Sequence, residues 1–306
     1  MTFPSHITCA YLYVITRYGY PPAAADTLRH LDEMAALGFR SVELEGIREA
    51  HLGAMYDQRE AIAAHVERLG LEVPYFCVVL PGLSSPDGAE RERNLALFEQ
   101  GCEVAARLGS LGVLDNAPLP PYVFPGDVPI VRHYHEDVLM AATLPPDLDW
   151  ARYWQDLTTT YRAACDVAAR YGLSYQMHPA MGVLAATTDA YLLFHDAVGR
   201  DNLRFNLDTA NLYVLKDNLA LALRRLAGRI DYIHLSDNRG QHVEHLPPGE
   251  GAIRWDVFFE TLDAIGFTGR FGLDIGGAET LLDDLDRAYT DAARWLLDRW
   301  PAPVSA

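Results

Sequence analysis

Residues 231–255, "DYIHLSDNRGQHVEHLPPGEGAIRW", gather three histidines, two aspartates and two glutamates in one short stretch. Imidazole nitrogens and carboxylate oxygens are the side-chain atoms that hold transition-metal ions and exchange protons near neutral pH. The same residue types recur at the ends of other short apolar runs. Glu43 and Glu45 stand in "RSVELEG", Asp115 and Asn116 in "LGVLDNAP", and His178 in "LSYQMHP". Asp208 and Asn211 stand in "LRFNLDTAN", His234 and Asp237 in "DYIHLSDN", and Asp274 in "GRFGLDIGG". So many separate segments ending in such groups point to one site assembled from many elements.

Short apolar runs alternate with longer amphipathic segments along the whole chain. Strands are predicted at 7–16, 40–46, 71–80, 111–118, 173–179, 203–211, 231–238 and 269–277, with helical patterns between them. The helix in "SPDGAERERNLALFEQGCEVAARLG" opens on Asp87, a capping residue, and closes at Gly109. Eight strand-then-helix units without a break in composition predict a single α/β domain over residues 1–306, a (β/α)8 TIM barrel. Active sites of such barrels lie at the carboxyl ends of the strands, where these ligand-type residues fall.

Bulk properties exclude several partners. The 306-residue chain has a net charge of −17, which argues against nucleic acid and against an anionic membrane surface. No apolar run is long enough for a membrane span, and the N-terminus lacks the pattern of a signal peptide, so a cytoplasmic protein is expected. Cys9, Cys77, Cys102 and Cys165 are far apart in apolar settings and read as buried free thiols. Lys216 is the only lysine; it sits at the approach to a surface helix and is discounted as a Schiff-base former.

Three segments resemble the xylose-isomerase-like barrel superfamily, within it the sugar phosphate isomerase/epimerase group. They are "SPDGAERERNLALFEQGCEVAARLGSLGV", "NLDTANL" and "YIHLSDNRG…HLPPGEGAIRWDVFFETLDAIGFTGRFGLDI". The resemblance implies one divalent cation held at the ends of strands five to eight, by Glu, Asp, His and Glu in the group. Here the matching positions are His178, Asp208, His234 and Asp274, so the first and last depart from the group's pattern. Asn211 replaces a histidine that the group carries three residues after its strand-six aspartate. Two imidazoles and two carboxylates suit Mn²⁺, Co²⁺ or Zn²⁺ better than Mg²⁺, which prefers an all-oxygen shell.

The implied activity is proton transfer next to a carbonyl of a sugar or keto-sugar, by an isomerase or epimerase. A lyase that eliminates water or an aglycone from a keto-sugar or inosose is the alternative, as is a non-catalytic sugar-binding barrel with a decayed metal site. With His178 in place of glutamate, a symmetric two-glutamate epimerisation is disfavoured and a one-base reaction fits better. His245, with a reference pKa near 6.5, is the preferred acid/base group, with Glu45 as its competitor. Arg239 is expected to fix the substrate, and Asn211 and Asp237 to line the site. The loop 118–148 is long and rich in proline and aromatics. With Tyr13 and Trp154 it forms either an aromatic wall for a sugar ring or a contact between copies of the chain.

Overall fold

The computed structural model describes residues 2–126 and 132–301. Ten strand segments run parallel: β1 (Ile7–Cys9), β2 (Ser41–Val42), β3 (Leu44–Ile47), β4 (Tyr75–Val79) and β5 (Gly112–Asn116). They continue with β6 (Ser174–His178), β7 (Leu203–Phe205), β8 (Leu207–Asp208), β9 (Tyr232–Leu235) and β10 (Arg270–Leu273). They form two arcs, ordered β2-β1-β10-β9-β8 and β3-β4-β5-β6-β7. A single residue separates β2 from β3 (Glu43) and β7 from β8 (Asn206).

The chain keeps its pairing through both joints. Glu43 N donates to Cys9 O at 2.9 Å, and Asn206 N donates to Met177 O at 3.0 Å. Counting each interrupted pair as one strand gives eight parallel strands with helices between them, the (β/α)8 barrel that the alternation predicts. Parallel strands covered on both faces must be apolar nearly throughout, and β4 is buried at every position of "YFCVV". The rings of Tyr75 and Tyr232 stack 4.3 Å apart. Gly272 lies in register with His234, and a Cβ there would collide with the Tyr232 hydroxyl.

Local chemistry sets the helix ends. Asp87 caps the helix Gly88–Arg107 by accepting from Ala89 N at 2.9 Å, and Asp149 caps Trp150–Arg170 by accepting from Arg152 N at 3.1 Å. The first predicted strand is shorter than its sequence suggests. Pairing stops after Ala10, the Tyr11 N–H turns to Glu43 Oε1 at 3.2 Å, and residues Leu12–Tyr18 form a helix. Burial of Val14 and Ile15 against the core overrides their strand preference. The helix Arg48–Asp57, also unforeseen, starts at Arg48, whose φ of 59° is left-handed. All four cysteines are buried and free, and the lone lysine's ammonium group is bonded to Gly240 O. Among the described residues no helix is long and apolar enough to cross a membrane.

Candidate active site

The carboxyl ends of the strands bring five donor side chains together. His178 ends β6, Asp208 ends β8, His234 lies in β9, Asp274 follows β10, and His245 comes from the loop after β9. All five are buried. Their inward atoms form a chain of near neighbours. His178 Nε2 lies 3.8 Å from Asp208 Oδ2, which lies 3.9 Å from His245 Nε2. Asp274 Oδ2 lies 3.7 Å from His245 Nε2 and 3.8 Å from His234 Nδ1. These distances are too long for hydrogen bonds. They are the spacing expected of atoms that share one ion, since bonds of about 2.1 Å put neighbouring donors roughly 3–4 Å apart.

Each histidine is held by its other nitrogen. His178 Nδ1 faces Asn206 Oδ1 at 2.7 Å, and the Asn206 amide is itself fixed by donating to Tyr232 O at 3.2 Å. His234 Nε2 faces Glu43 Oε2 at 3.0 Å. His245 Nδ1 is ion-paired with Glu279 Oε1 at 2.8 Å. For His178 and His234 an outer acceptor takes the proton of one ring nitrogen and aims the lone pair of the other inward, the usual arrangement around a metal-ligating imidazole. Asp208 Oδ2, His234 Nδ1 and His245 Nε2 have no hydrogen-bond partner among the described residues. Buried polar atoms without partners are costly, and three of them converging on one point fit a bound cation.

Burial would raise the Asp274 carboxyl, but Arg132, His234 and His245 hold it well below the usual carboxylate range. Arg132 Nη2 donates to Asp274 Oδ2 at 2.7 Å. Burial lowers His178, with His234 and Arg132 adding to the effect, so its ring is neutral. Glu45 is pushed up to about 8, first by burial and then by the neighbouring Glu43. It projects to the same side as Glu43, as strand alternation requires, and shares a buried cluster with Glu43 and Cys77.

The structure sorts the sequence-predicted residues. His178, Asp208, His234, Asp274 and His245 come together, and Glu45 lies close enough to feel the charges of Asp274 and His234. Asn211 is beside them, its Nδ2 donating to Pro179 O at 3.0 Å and lying 3.4 Å from His178 Nε2. Asp237 is elsewhere: its carboxylate accepts from Asn238 N, Gly249 N, Ile253 N and Trp255 Nε1, tying the "LPPGEG" turn together. Arg239 is at the surface, paired with Glu244 at 2.6 Å. The Tyr13 hydroxyl is turned away to Asp286 at 2.7 Å, because its segment is helical. Trp154 packs edge-on against Phe194 between outer helices at 5.7 Å.

Asn206, Glu279, Arg132 and Tyr134 were not foreseen, whereas Glu43, Asp115 and Asn116 stood among the strand-end groups. Glu43, Asn206 and Glu279 orient the three histidines. Arg132 and Tyr134, from the proline-rich loop, line a cavity of about 80 Å³ together with Tyr20, Arg48, Asp115 and Asn116, and the Arg132–Asp274 bond places it beside the donors. The length of that loop was the only signal the sequence offered for them.

The xylose isomerase-like TIM barrel family matches residues 31–299. The chain belongs to this family. Among its relatives, the L-ribulose 3-epimerase of Mesorhizobium japonicum is 26% identical over 96 residues, 31% of each chain. The 2-oxo-tetronate isomerase of Haemophilus influenzae is 26% identical over 144 residues, 44% of this chain and 53% of that one. These two matches therefore span only 31% and 53% of those proteins. The D-psicose 3-epimerase of Enterocloster bolteae aligns more fully, at 26% identity over 80% of this chain and 75% of its own. Two solved structures share the xylose isomerase-like fold. D-allulose 3-epimerase from Methylomonas sp. has a TM-score of 0.74 at 16% identity, over 98% of this chain and 99% of that one. 3-Keto-D-glucoside 4-epimerase from E. coli has 0.71 at 19%, over 96% and 100%.

Proposed function

We propose that this chain is a metal-dependent carbohydrate isomerase or epimerase that moves a proton on a carbon next to a carbonyl of a sugar or keto-sugar. The observation that carries this reading is the set of three histidines, each clamped by an outer partner and turned toward Asp208 and Asp274. The epimerase and isomerase names of its relatives supply the substrate class.

His178, Asp208, His234 and Asp274 would hold the ion, with His245 as a fifth donor; the nitrogen-rich set favours Mn²⁺, Co²⁺ or Zn²⁺ over Mg²⁺. Bound there, such an ion supplies Lewis acidity toward a substrate oxygen. The remaining work belongs to the protein. Arg132 keeps Asp274 ionised, which suits a donor and makes it a poor base. His245 is engaged at Nδ1 by Glu279 and presents Nε2 to the other donors, so we assign the proton transfer to Glu45. This carboxyl is buried, stands outside the donor set and is poised at about 8, close to working pH. One such group suits a one-base reaction.

The test is proton exchange in D₂O over a panel of ketopentoses and ketohexoses, with metal content measured on the same samples. Protein purified without chelator should carry about one equivalent of a transition ion. A substrate carbon should take up deuterium without loss of mass. Glu45→Gln should keep its metal and lose about 10²-fold or more in exchange, the usual effect of removing a general acid/base. Release of water or an aglycone would make the enzyme a lyase. Metal-free protein that binds sugars without exchange would overturn the assignment.

A further inference from the structure

The cavity beside the donor cluster is lined by two arginines, Arg48 and Arg132. Arg132 is matched by two carboxylates, Asp274 through Nη2 at 2.7 Å and Glu279 through Nη1 at 3.7 Å. The Arg48 guanidinium makes no salt bridge among the described residues, and its Nε has no hydrogen-bond partner there. Both charges act on the same third group, the Tyr20 hydroxyl, which lines the cavity too. Arg48 directly follows β3, at the carboxyl end where barrel sites are built, and its backbone is in the left-handed region at φ 59°. An arginine held in a conformation that favours glycine is kept there at a conformational cost, a mark of functional positions.

We infer that the cavity takes the carboxylate of a sugar acid, held by the Arg48 guanidinium with Arg132 in the same wall, while the sugar's carbonyl end faces the donor cluster. This rests on the carbohydrate reading above and narrows its substrate class. One guanidinium without a carboxylate partner matches the single charge and two oxygens of a carboxylate. A phosphate carries close to two charges, which one unpaired guanidinium does not balance. The chain's charge of −17 repels anions at a distance, so an anionic substrate needs a local unpaired cation of this kind. Asp115, in the same wall, does not oppose it at neutral pH, because burial pushes its carboxyl up to about 8.

The experiment is calorimetric titration of the metal-loaded enzyme with matched sets of gluco, galacto and manno configuration. Each set holds the hexose, the hexuronate and the hexose 6-phosphate, and each is run on wild type, Arg48→Gln and Arg48→Gly. At least one uronate should bind wild type about tenfold or more tightly than its parent hexose, the scale of one charge-assisted hydrogen bond. Both variants should lose that preference while the hexose binds as before. Arg48→Gly guards against misfolding, since glycine accepts the left-handed backbone and should melt no lower than wild type. Equal binding of acid and hexose, a preference that survives in both variants, or a 6-phosphate ahead of its uronate would overturn the inference. Neutral ketoses that exchange a proton in D₂O without any preference for acids would sink it alone. Absence of exchange and of binding across every set would sink the carbohydrate reading as well.

Discussion

Replacing Asp237 removes the acceptor at the centre of the turn that follows β9. Its Oδ1 accepts from Asn238 N at 2.9 Å and Ile253 N at 3.1 Å, and its Oδ2 accepts from Gly249 N and Trp255 Nε1, both at 2.8 Å. The bonds to Asn238, Ile253 and Trp255 are buried and the one to Gly249 is partly so, and each orphaned buried donor costs about 1–3 kcal/mol. Asp237→Ala orphans three buried donors, for about 3–9 kcal/mol, comparable with the whole stability of a typical protein at about 5–15 kcal/mol. Asp237→Asn keeps one oxygen and turns an NH₂ toward two donors, for about 2–6 kcal/mol. At roughly 2 °C per kcal/mol for a chain of this size, the Asn variant should melt about 4–12 °C lower, and the Ala variant should largely fail to accumulate folded. The assay is thermal unfolding of metal-loaded protein, with KM measured on the folded fraction. A substrate-binding Asp237 would instead leave the melting temperature within about 1 °C and raise KM, and that result would refute the structural account.

The donor set can be dissected by elemental analysis. His178→Ala and His234→Ala should each lose most of the bound ion, and full retention in either would remove that residue from the set. Asp115 gives a pH signature. Its folded pKa of about 8 lies above the unfolded value near 3.8, so the native state holds the proton longer and its stability falls as pH rises through that window. Asp115→Asn lacks this slope, so the stability difference, wild type minus variant, should shrink between pH 4 and 8; a difference constant with pH would refute the assignment. Gly272→Ala should lower the melting temperature by several degrees and weaken metal retention, since the added methyl strikes Tyr232 beside His234. A variant as stable as wild type would show that the ring can shift aside.

The barrel was legible because a parallel strand buried on both faces leaves a run of apolar letters, and its carboxyl end leaves the chemistry that follows. His178, Asp208, His234 and Asp274 could be placed from that rule together with family resemblance. What could not be read depends on contacts between distant residues. The segment after Cys9 carries strand-forming side chains, yet Glu43, more than thirty residues on, captures the Tyr11 N–H and the chain turns into a helix. Tyr13 left the site with it. Asp237 looked like a site residue because its type and position suited one, but nothing local shows that three donors from the next turn, Gly249, Ile253 and Trp255, close on it. Arg132 lies in a loop without periodicity, so no pattern could point it at Asp274. Glu279 is likewise meaningful only through the ring of His245, thirty-four positions earlier.

The two one-residue joints at Glu43 and Asn206 also bear on how the ring stays closed. One arc supplies His178, the other supplies Asp208 and His234, and the joint residues themselves grip the two imidazoles. The cluster therefore acts as a clasp on a hoop made of two half-hoops, and opening either joint scatters its donors. Whatever binds all of them makes opening harder by RT ln(1 + [L]/Kd), about 4 kcal/mol at a thousandfold excess over Kd. Loading the site should accordingly slow hydrogen exchange most at the amides of Glu43 and Asn206, the places where the barrel would otherwise come apart first.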